Sequence, residues 1–303
     1  MAVMVHSEKL SELIDENAEI EQLATGFMFT EGPIWMSDGS LHFSDMPGDK
    51  RRRWHQAEGV TVLRDPSNKC NGMTLDNDGN LIVCEHVTSS VVREKPDGSR
   101  ETLATHWQGQ ELNSPNDVIV ASDGSIIFTD PTYGRMPGFG IEREQDLDFQ
   151  GVYRLPAGGG DIELLVGDFK QPNGLCLSPD ESLLYINDTE RAHIRVFDVG
   201  PNHSLANDRV FAENIGDGDL AKGGLVDGMK LDEQGNVYVT GPDGVWVVGT
   251  DGEHLGTIEV PESVGNINWG DEDWRSLFIA ASTSVYRVRM KIAGNRLGYM
   301  QGV

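Results

Sequence analysis

One pattern of apolar and polar positions recurs along this chain. Residues 71–86 open with a polar residue, continue through alternating apolar positions to an Asp/Gly-rich turn, and end in a second apolar run. This order is typical of two antiparallel strands joined by a tight turn. Five further copies align with it, at residues 31–45, 116–130, 173–188, 227–240 and 266–280. The sequence therefore predicts six equivalent hairpins.

The spacing of the hairpins predicts the fold. Their starts lie roughly 40 to 57 residues apart, which leaves room for about four strands per unit, as in propeller blades. We expect an all-β protein with one domain, residues 1–303, folded as a six-bladed β-propeller. Residues 1–17 are expected to form an N-terminal arm or a short helix. The strand character of residues 18–28 predicts that an early strand completes the last blade and removes an exposed edge.

The first residue of each copy takes an equivalent place in this fold. Rotational repetition brings these residues to one mouth of the central channel, and they are Glu31, Asn71, Asn116, Asn173, Asp227 and Asn266. All six carry a side-chain oxygen, and none is basic. Carboxylate and amide oxygens suit hard cations such as calcium and magnesium. The repeat therefore predicts a central metal site.

The strongly negative charge of the chain disfavours two classes of binding partner. With 49 acidic and 24 basic residues the formal net charge is −25, which argues against binding to nucleic acid or to anionic membranes. No apolar run approaches the ~18 residues that a membrane-spanning helix needs. The first residues lack the basic start and long apolar core of a secretory signal, so we expect a cytoplasmic protein.

Several well-known catalytic motifs are missing from the sequence. It contains no Gly-x-Ser-x-Gly elbow and no His-Glu-x-x-His pair, which disfavours serine hydrolase and zinc protease chemistry. Residues 216–221 formally match Gly-x-Gly-x-x-Ala. No strand–turn–helix pattern surrounds them and two acidic residues would repel a pyrophosphate, so we interpret this segment as a turn.

A set of short motifs occurs in order along the chain. They are Phe29-Thr-Glu-Gly-Pro-Ile-Trp35, Leu41-His-Phe-Ser-Asp45, Cys84-Glu-His86, Leu112-Asn-Ser-Pro-Asn-Asp-Val118, Phe128-Thr-Asp-Pro-Thr-Tyr-Gly134, Gln171-Pro-Asn-Gly-Leu175 and Val226-Asp-Gly-Met229. Together they resemble the gluconolactonase branch of the senescence-marker-protein/regucalcin/gluconolactonase family, and the similarity extends from about residue 18 to residue 290. The chain departs from the family where Ser89-Ser-Val91 replaces a pair of arginines, which puts substrate contacts from that loop in doubt.

The resemblance implies a ligand set for the metal. In the family one divalent cation, usually calcium and sometimes zinc, magnesium or manganese, is held by residues that match Glu31, Asn173 and Asp227. A further asparagine, matching Asn116, contacts the metal's water or the substrate. The repeat alignment selects the same four positions independently. We therefore expect a calcium-type site made of these residues.

The resemblance also implies a reaction, the hydrolysis of a cyclic ester such as a sugar lactone. Asp227 is the leading candidate for the general base, and His86 and Glu85 are its alternatives. His86 is equally well explained as a structural residue. Asn116 is expected to position water or substrate, while Asp130 and Tyr133 are candidates for binding substrate hydroxyls. The long polar insert at residues 135–150 is expected to shape access to the site, with disorder as the competing interpretation.

Two other functions fit the same residues. One is a calcium-binding regulatory propeller without catalysis, and the other is a hydrolase of a phosphotriester or a cyclic diketone. The expected partner is a small-molecule lactone, with neither nucleic acid nor membrane, and the sequence makes no prediction about the oligomeric state.

Overall fold

The computed structural model describes residues 3–216 and 224–296. These residues form six antiparallel sheets of four or five strands. Each sheet contains one of the six predicted hairpins as its first two strands, which confirms the six-bladed β-propeller. The turn predicted at residues 216–221 lies, apart from residue 216, outside the described residues.

The first three blades follow each other along the chain. Blade 1 consists, from the channel to the rim, of Thr30–Trp35, Ser40–Asp45, Lys50–His55 and Gly59–Arg64. Blade 2 consists of Cys70–Leu75, Leu81–Glu85, Ser90–Glu94 and Arg100–Ala104. Blade 3 consists of Val118–Val120, Ile126–Asp130, Gln150–Leu155 and Glu163–Phe169. Between blades 2 and 3 a small hairpin pairs His106–Trp107 with Gln110–Glu111.

The last three blades complete the circle. Blade 4 consists of Pro172–Leu177, Leu183–Asp188, His193–Val199 and Leu205–Ala212. Blade 5 begins with Met229–Leu231, Val237–Gly241, Gly244–Val248 and His254–Glu259, and blade 6 with Val264–Gly270, Ser276–Ala281 and Ser284–Arg289. Two 3-10 turns, Tyr133–Arg135 and Pro201–His203, lie between strands.

The ring closes by non-covalent pairing. The innermost strand of blade 6 packs against that of blade 1, as every innermost strand packs against the next. Ile20–Thr25 pairs antiparallel with Ser284–Arg289 and supplies the fourth strand of blade 6. This pairing confirms the predicted closure by an early strand and covers what would otherwise be an open sheet edge.

The N-terminal segment adds a contact that the sequence pattern does not predict. Val3–Val5 pairs with His254–Glu259 and becomes a fifth strand of blade 5. The short helix Leu10–Leu13 follows it, and its buried leucines pack with Ile14 into the apolar core shared by blades 5 and 6. The segment thus lies against blades 5 and 6.

The apolar residues of the innermost hairpins fill the spaces between neighbouring blades. Ile82 of blade 2, for example, shares one buried cluster with Phe128 and Tyr153 of blade 3. Such packing excludes water from the sheet faces and leaves the channel mouth as the place where polar side chains converge. Within the described residues, no helix has the length and apolarity needed to span a membrane.

Candidate active site

A cavity of about 140 Å³ lies at one mouth of the channel. We call its polar base the floor, which consists of Glu31, Asn71, Asn116, Asn173 and Asp227. We call the remaining lining the wall, which consists of Phe29, Met46, Tyr133, Met136, Phe139, Thr189, Leu225, Ser263 and Val264. Five of the six positions that the repeat predicts at the mouth therefore meet there. The sixth, Asn266, interacts with the carboxyl of Glu31.

Bulges in the innermost strands turn three floor side chains toward the channel. In blade 1, the innermost strand has one residue more between Glu31 and Ile34 than the strand that pairs with it. Blades 2 and 4 repeat this irregularity directly around Asn71 and Asn173. A bulge of this kind inserts one extra residue and re-aims the neighbouring side chain. The same type of bulge therefore places a side chain with a potential oxygen ligand at the mouth in three blades.

Glycines that follow the floor residues let the blades approach each other closely. A Cβ atom on Gly32 would lie 2.1 Å from the carbonyl oxygen of Asn71 in the next blade. A Cβ atom on Gly174 would lie 2.3 Å from the carbonyl oxygen of Asp227. Both distances are far below a normal contact, so a side chain at either position would push two innermost strands apart.

Hydrogen bonds between blades fix the backbone of the floor. Ser44 donates its hydroxyl to the carbonyl oxygen of Asn71 at 2.8 Å, and Thr129 does the same to Asn173 at 2.8 Å. Asn187 donates its amide to the carbonyl oxygen of Asp227. Each donor lies on the second strand of one blade, and each acceptor lies on or just before the innermost strand of the next. The floor is consequently held from the neighbouring blade as well as from its own.

A hydrogen bond from its nitrogen atom fixes the orientation of the side-chain amide of Asn173. Its Nδ2 donates to the hydroxyl of Thr189 at 3.1 Å, and that hydroxyl donates to the carbonyl oxygen of Val226 at 2.7 Å. The Oδ1 atom of Asn173 is buried and has no hydrogen-bond partner in the protein. A buried amide oxygen without a partner is costly unless a ligand satisfies it.

Asn71 is oriented in the same way by His86. The Nδ1 atom of His86 lies 3.0 Å from the carbonyl oxygen of Phe139, which can only accept, so we assign the proton to Nδ1. The Nε2 atom then accepts from Nδ2 of Asn71 at 3.3 Å. The Oδ1 atom of Asn71 is left buried and without a protein partner.

This arrangement makes His86 a buried neutral residue. Burial lowers the pKa of His86 to about 4, and nearby Lys69 and Arg143 act in the same direction. Its ring is fully buried, and both nitrogens are engaged by Asn71 and Phe139. The structure therefore places His86 behind Asn71 rather than on the cavity surface.

Two carboxylates, those of Glu31 and Asp227, lie on the floor. Burial raises the pKa of Glu31 to about 7, and the negative charge of Asp117 adds to the shift. Burial raises the pKa of Asp227 well above its ordinary value, and the charges of Glu31 and Asp117 act in the same direction. The positive charge of Lys230, whose Nζ lies 3.9 Å from a carboxylate oxygen of Asp117, acts on the pKa of Glu31 in the opposite direction. The floor therefore holds more buried negative charge than its described neighbours neutralise.

The donor set fits a hard divalent cation. It combines the carboxylates of Glu31 and Asp227 with the unpartnered amide oxygens of Asn71 and Asn173. Among the described residues no group of three or more His, Cys, Asp or Glu side chains is placed to hold a metal ion. A metal here would accordingly depend on neutral amide oxygens for half of these four donors. Such ligands suit calcium or magnesium better than thiophilic metals.

Two predicted site residues do not reach the cavity. Glu85 is buried in blade 2, where it pairs with Arg100 and accepts hydrogen bonds at 2.8 Å from Asn68 and Thr88. Asp130 is buried in blade 3, and its two oxygens accept the backbone N–H groups of Asn113 and Ser114. The structure therefore places neither Glu85, a predicted catalytic residue, nor Asp130, a predicted substrate-binding residue, on the lining of this cavity.

The positions of Glu85 and Asp130 belong to a second repeat. Asp45, Glu85, Asp130 and Asp188 all end the second strand of a blade. Asp188 accepts the backbone N–H groups of Lys170 and Gln171, just before the innermost strand of its own blade. In these four blades the acidic residue accepts a hydrogen bond from the segment that leads into the floor residue. The repeat therefore positions it to hold that segment.

The insert between the second and third strands of blade 3 forms part of the wall. Met136 and Phe139 line the cavity, and the ring of Phe139 packs edge-on against Phe29, with centroids 5.7 Å apart. Arg135 anchors the insert by donating to the carbonyl oxygens of Asn113 and Leu112 at 2.7 and 2.6 Å. The insert is ordered at the mouth, as the access-shaping interpretation predicts.

Tyr133 and Asn116 lie on the cavity as predicted from the sequence. The hydroxyl of Tyr133 interacts with Thr189 and Asn173, and burial raises its pKa above the ordinary value, so it remains a neutral donor. Sequence analysis missed Thr189 and the apolar wall, and it did not include Asn71 among the metal ligands. For Asn71 the signal was available, because the repeat aligns it with Glu31.

Comparisons with known proteins place these features in context. A family model described as the SMP-30/gluconolactonase/LRE-like region matches residues 29–283. A gluconolactonase from Zymomonas mobilis is 32% identical over 309 aligned residues, which cover 95% of this chain and 86% of that protein. The structure of a gluconolactonase from Xanthomonas campestris is 31% identical with a TM-score of 0.87, over 96% of this chain and 95% of that one. A regucalcin from Agrobacterium tumefaciens, described as a calcium-binding protein, shares the fold at 18% identity, with a TM-score of 0.72 over 92% of this chain and 98% of that one.

Proposed function

This chain belongs to the SMP-30/gluconolactonase/LRE-like family, and we propose on that premise that it is a metal-dependent hydrolase of lactones. Family membership supports the lactone hydrolase class. The metal dependence rests on one observation, the floor with the carboxylates of Glu31 and Asp227 and the two amide oxygens, of Asn71 and Asn173, that have no protein partner.

The proposed ligands are Glu31, Asn173 and Asp227, as the family resemblance implies, and we add the Oδ1 atom of Asn71. Calcium is the favoured ion because every donor is a hard oxygen. When bound, a divalent cation would polarise the lactone carbonyl and stabilise the negative charge that develops on its oxygen. Asn116 lies beside these ligands on the cavity surface and is proposed to position the water or the ring.

Asp227 is the proposed general base. It is partly exposed and faces the cavity, whereas Glu31 is 3% exposed and accepts the N–H of Gly32 at 2.8 Å. Water would add to the carbonyl carbon as Asp227 takes its proton. The ring C–O bond would then break, and the departing ring oxygen would receive that proton. The product is the open hydroxy acid, and Asp227 returns to its starting state.

Other candidates for the base are disfavoured by their surroundings. Both nitrogens of His86 are engaged, and Glu85 is paired with Arg100 away from the cavity. His86 is instead proposed to position Asn71, and Tyr133 to support Thr189 and Asn173.

The experiment that tests this function is lactone hydrolysis, followed by proton release, on protein stripped with chelator. The panel contains glucono-δ-lactone and unsubstituted γ- and δ-lactones, each with calcium, magnesium, manganese or zinc restored. We expect turnover to disappear on stripping and to return with an ion. Full activity in stripped protein would contradict the metal dependence. Tight metal binding without turnover of any lactone would favour a calcium-binding propeller that is not an enzyme.

A further inference from the structure

The wall of the cavity differs in chemistry from its floor. Two thirds of the wall residues are apolar, and these are Phe29, Met46, Met136, Phe139, Leu225 and Val264. They come from separate segments of the chain that converge above the floor. A ring bound with its carbonyl on the floor would therefore direct its substituents toward carbon and sulfur atoms.

The polar groups of the wall are largely engaged with the protein. The hydroxyl of Thr189 donates to Val226 and accepts from Asn173. The hydroxyl of Tyr133 interacts with the same Thr189 and Asn173. In the described part of the wall, Ser263 adds a side-chain hydroxyl without a hydrogen-bond partner in the protein. The described wall therefore offers a substrate more apolar surface than free hydrogen-bonding groups.

Basic side chains near the mouth also point away from the cavity. Arg135 donates to the carboxylate of Glu111 and to backbone carbonyls, and Arg143 lies beside Glu111 and Ser89. Lys69 donates its Nζ to the carbonyl oxygen of Gly138 at 2.7 Å. Among the described residues that line the cavity, none is Lys or Arg. The wall is therefore poorly suited to an acidic or polyhydroxylated substituent.

We infer that the preferred substrate is a lactone whose ring carries a short apolar substituent rather than several hydroxyl groups. This inference rests on the proposed lactonase function and adds the substrate class. Each hydroxyl of a sugar lactone that is placed against the apolar wall would lose its hydrogen bonds to water, and this loss weakens binding. Each methylene placed against the wall would instead improve binding roughly fourfold. Met136, 48% exposed at the rim, lies where a longer substituent would leave the cavity.

The test compares four δ-lactones with the same ring on the metal-loaded protein. They are δ-valerolactone, δ-hexalactone, δ-nonalactone and glucono-δ-lactone, and the measurement is kcat/KM by proton release. We expect kcat/KM to rise from valerolactone to nonalactone and to be at least tenfold lower for glucono-δ-lactone than for nonalactone. A higher value for glucono-δ-lactone than for every alkyl lactone would overturn the inference. Absence of hydrolysis for all four would contradict the proposed function itself, so the two failures are distinguishable.

A pair of variants in one segment tests whether the wall is responsible. Met136→Gln replaces an apolar wall residue at the rim, and Ile141→Gln makes a comparable change at a site that is 49% exposed and does not line the cavity. We expect Met136→Gln to lower the nonalactone-to-valerolactone ratio of kcat/KM about fourfold or more. Ile141→Gln is expected to leave the ratio unchanged. Equal ratios in wild type and Met136→Gln would contradict a role of this wall residue in specificity.

Discussion

The floor of the cavity lies on or just before the innermost strands of the propeller, whereas much of its wall comes from connecting segments. Three floor residues, Glu31, Asn71 and Asn173, sit at bulges. Glycines beside the floor allow close contact between blades, and the carbonyls of Asn71 and Asn173 accept hydrogen bonds from the preceding blade. The wall includes the insert of blade 3 and side chains as exposed as Met136. The floor therefore tolerates little displacement, while the wall can change composition without disturbing the blades.

This difference assigns catalysis and metal binding to the floor and substrate selection to the wall. Chemistry that needs charges and oxygens at fixed positions is placed on the rigid frame. Selection among ring substituents is placed on the wall, where one side chain can be replaced at modest cost. Substitutions in the floor should accordingly affect turnover and metal binding together, and those in the wall should affect the choice of substrate.

The largest effect is expected for Asp227→Asn, which keeps the shape of the side chain and removes its charge. Because Asp227 is both the proposed base and a proposed ligand, we expect kcat/KM to fall on the order of a thousandfold. The matched control is Asp232→Asn, a buried aspartate in the same blade that accepts N–H groups of Gln234 and Asn236. This control should lower stability and leave turnover near that of wild type. Wild-type activity in Asp227→Asn would rule out both roles.

A smaller effect is expected for His86→Phe, which retains a buried ring but removes both hydrogen bonds. Asn71 would lose the partner that orients its amide, so calcium affinity should fall about 10- to 100-fold by calorimetry. His86→Gln should recover part of the affinity. Since the pKa of His86 is about 4, the pH–rate profile above pH 5 should keep its shape in either variant. Loss of an ionisation between pH 5 and 8 would indicate that His86 is the base.

Gly174→Ala tests the rigidity of the floor directly. The added Cβ would lie 2.3 Å from the carbonyl oxygen of Asp227, so we expect a loss of about 1–3 kcal/mol in the free energy of unfolding, together with lower activity. Gly158→Ala is the control, because no atom lies within 4 Å of its added Cβ. Urea unfolding of both variants provides the comparison. Equal stability in the two would mean that the blades can separate without cost.

The smallest effect is expected for the pH dependence of the thermal stability of the metal-free protein. The pKa of Glu31 is raised from 4.5 to about 7, so the folded state binds more protons than the unfolded state between these values. The contribution of Glu31 to stability is therefore lost as the pH rises from about 4.5 to about 7. We expect the Tm of chelator-treated protein to fall by a few degrees over this range, and less in Glu31→Gln. A Tm that rises equally in both proteins would contradict this sign.

Much of the fold could be predicted because its pattern is local. Each innermost hairpin carries its own alternation and its own Asp/Gly turn, so aligning the copies locates six blades. Val3–Val5 could not be found in this way, because three residues carry no periodic signal and the strand exists only through pairing with His254–Glu259.

The same logic explains which parts of the site were predictable. The floor is repeated, so alignment finds Glu31, Asn173 and Asp227. The wall is not repeated, and residues such as Phe139 reach the cavity only because the insert folds back over the mouth. The direction of the Glu85 carboxylate, toward Arg100 and away from the cavity, could not be predicted, because a position at the end of a second strand says nothing about which way a side chain points.

The central claim is that the floor binds one divalent cation through Glu31, Asn71, Asn173 and Asp227. The most direct measurement is a calorimetric titration of calcium into chelator-stripped protein, repeated with Asn71→Ala and Asn173→Ala. We predict one ion per chain for wild type and clearly weaker binding in each variant. A folded wild-type protein that binds none of calcium, magnesium, manganese and zinc, or variants that bind calcium as tightly as wild type, would contradict the claim.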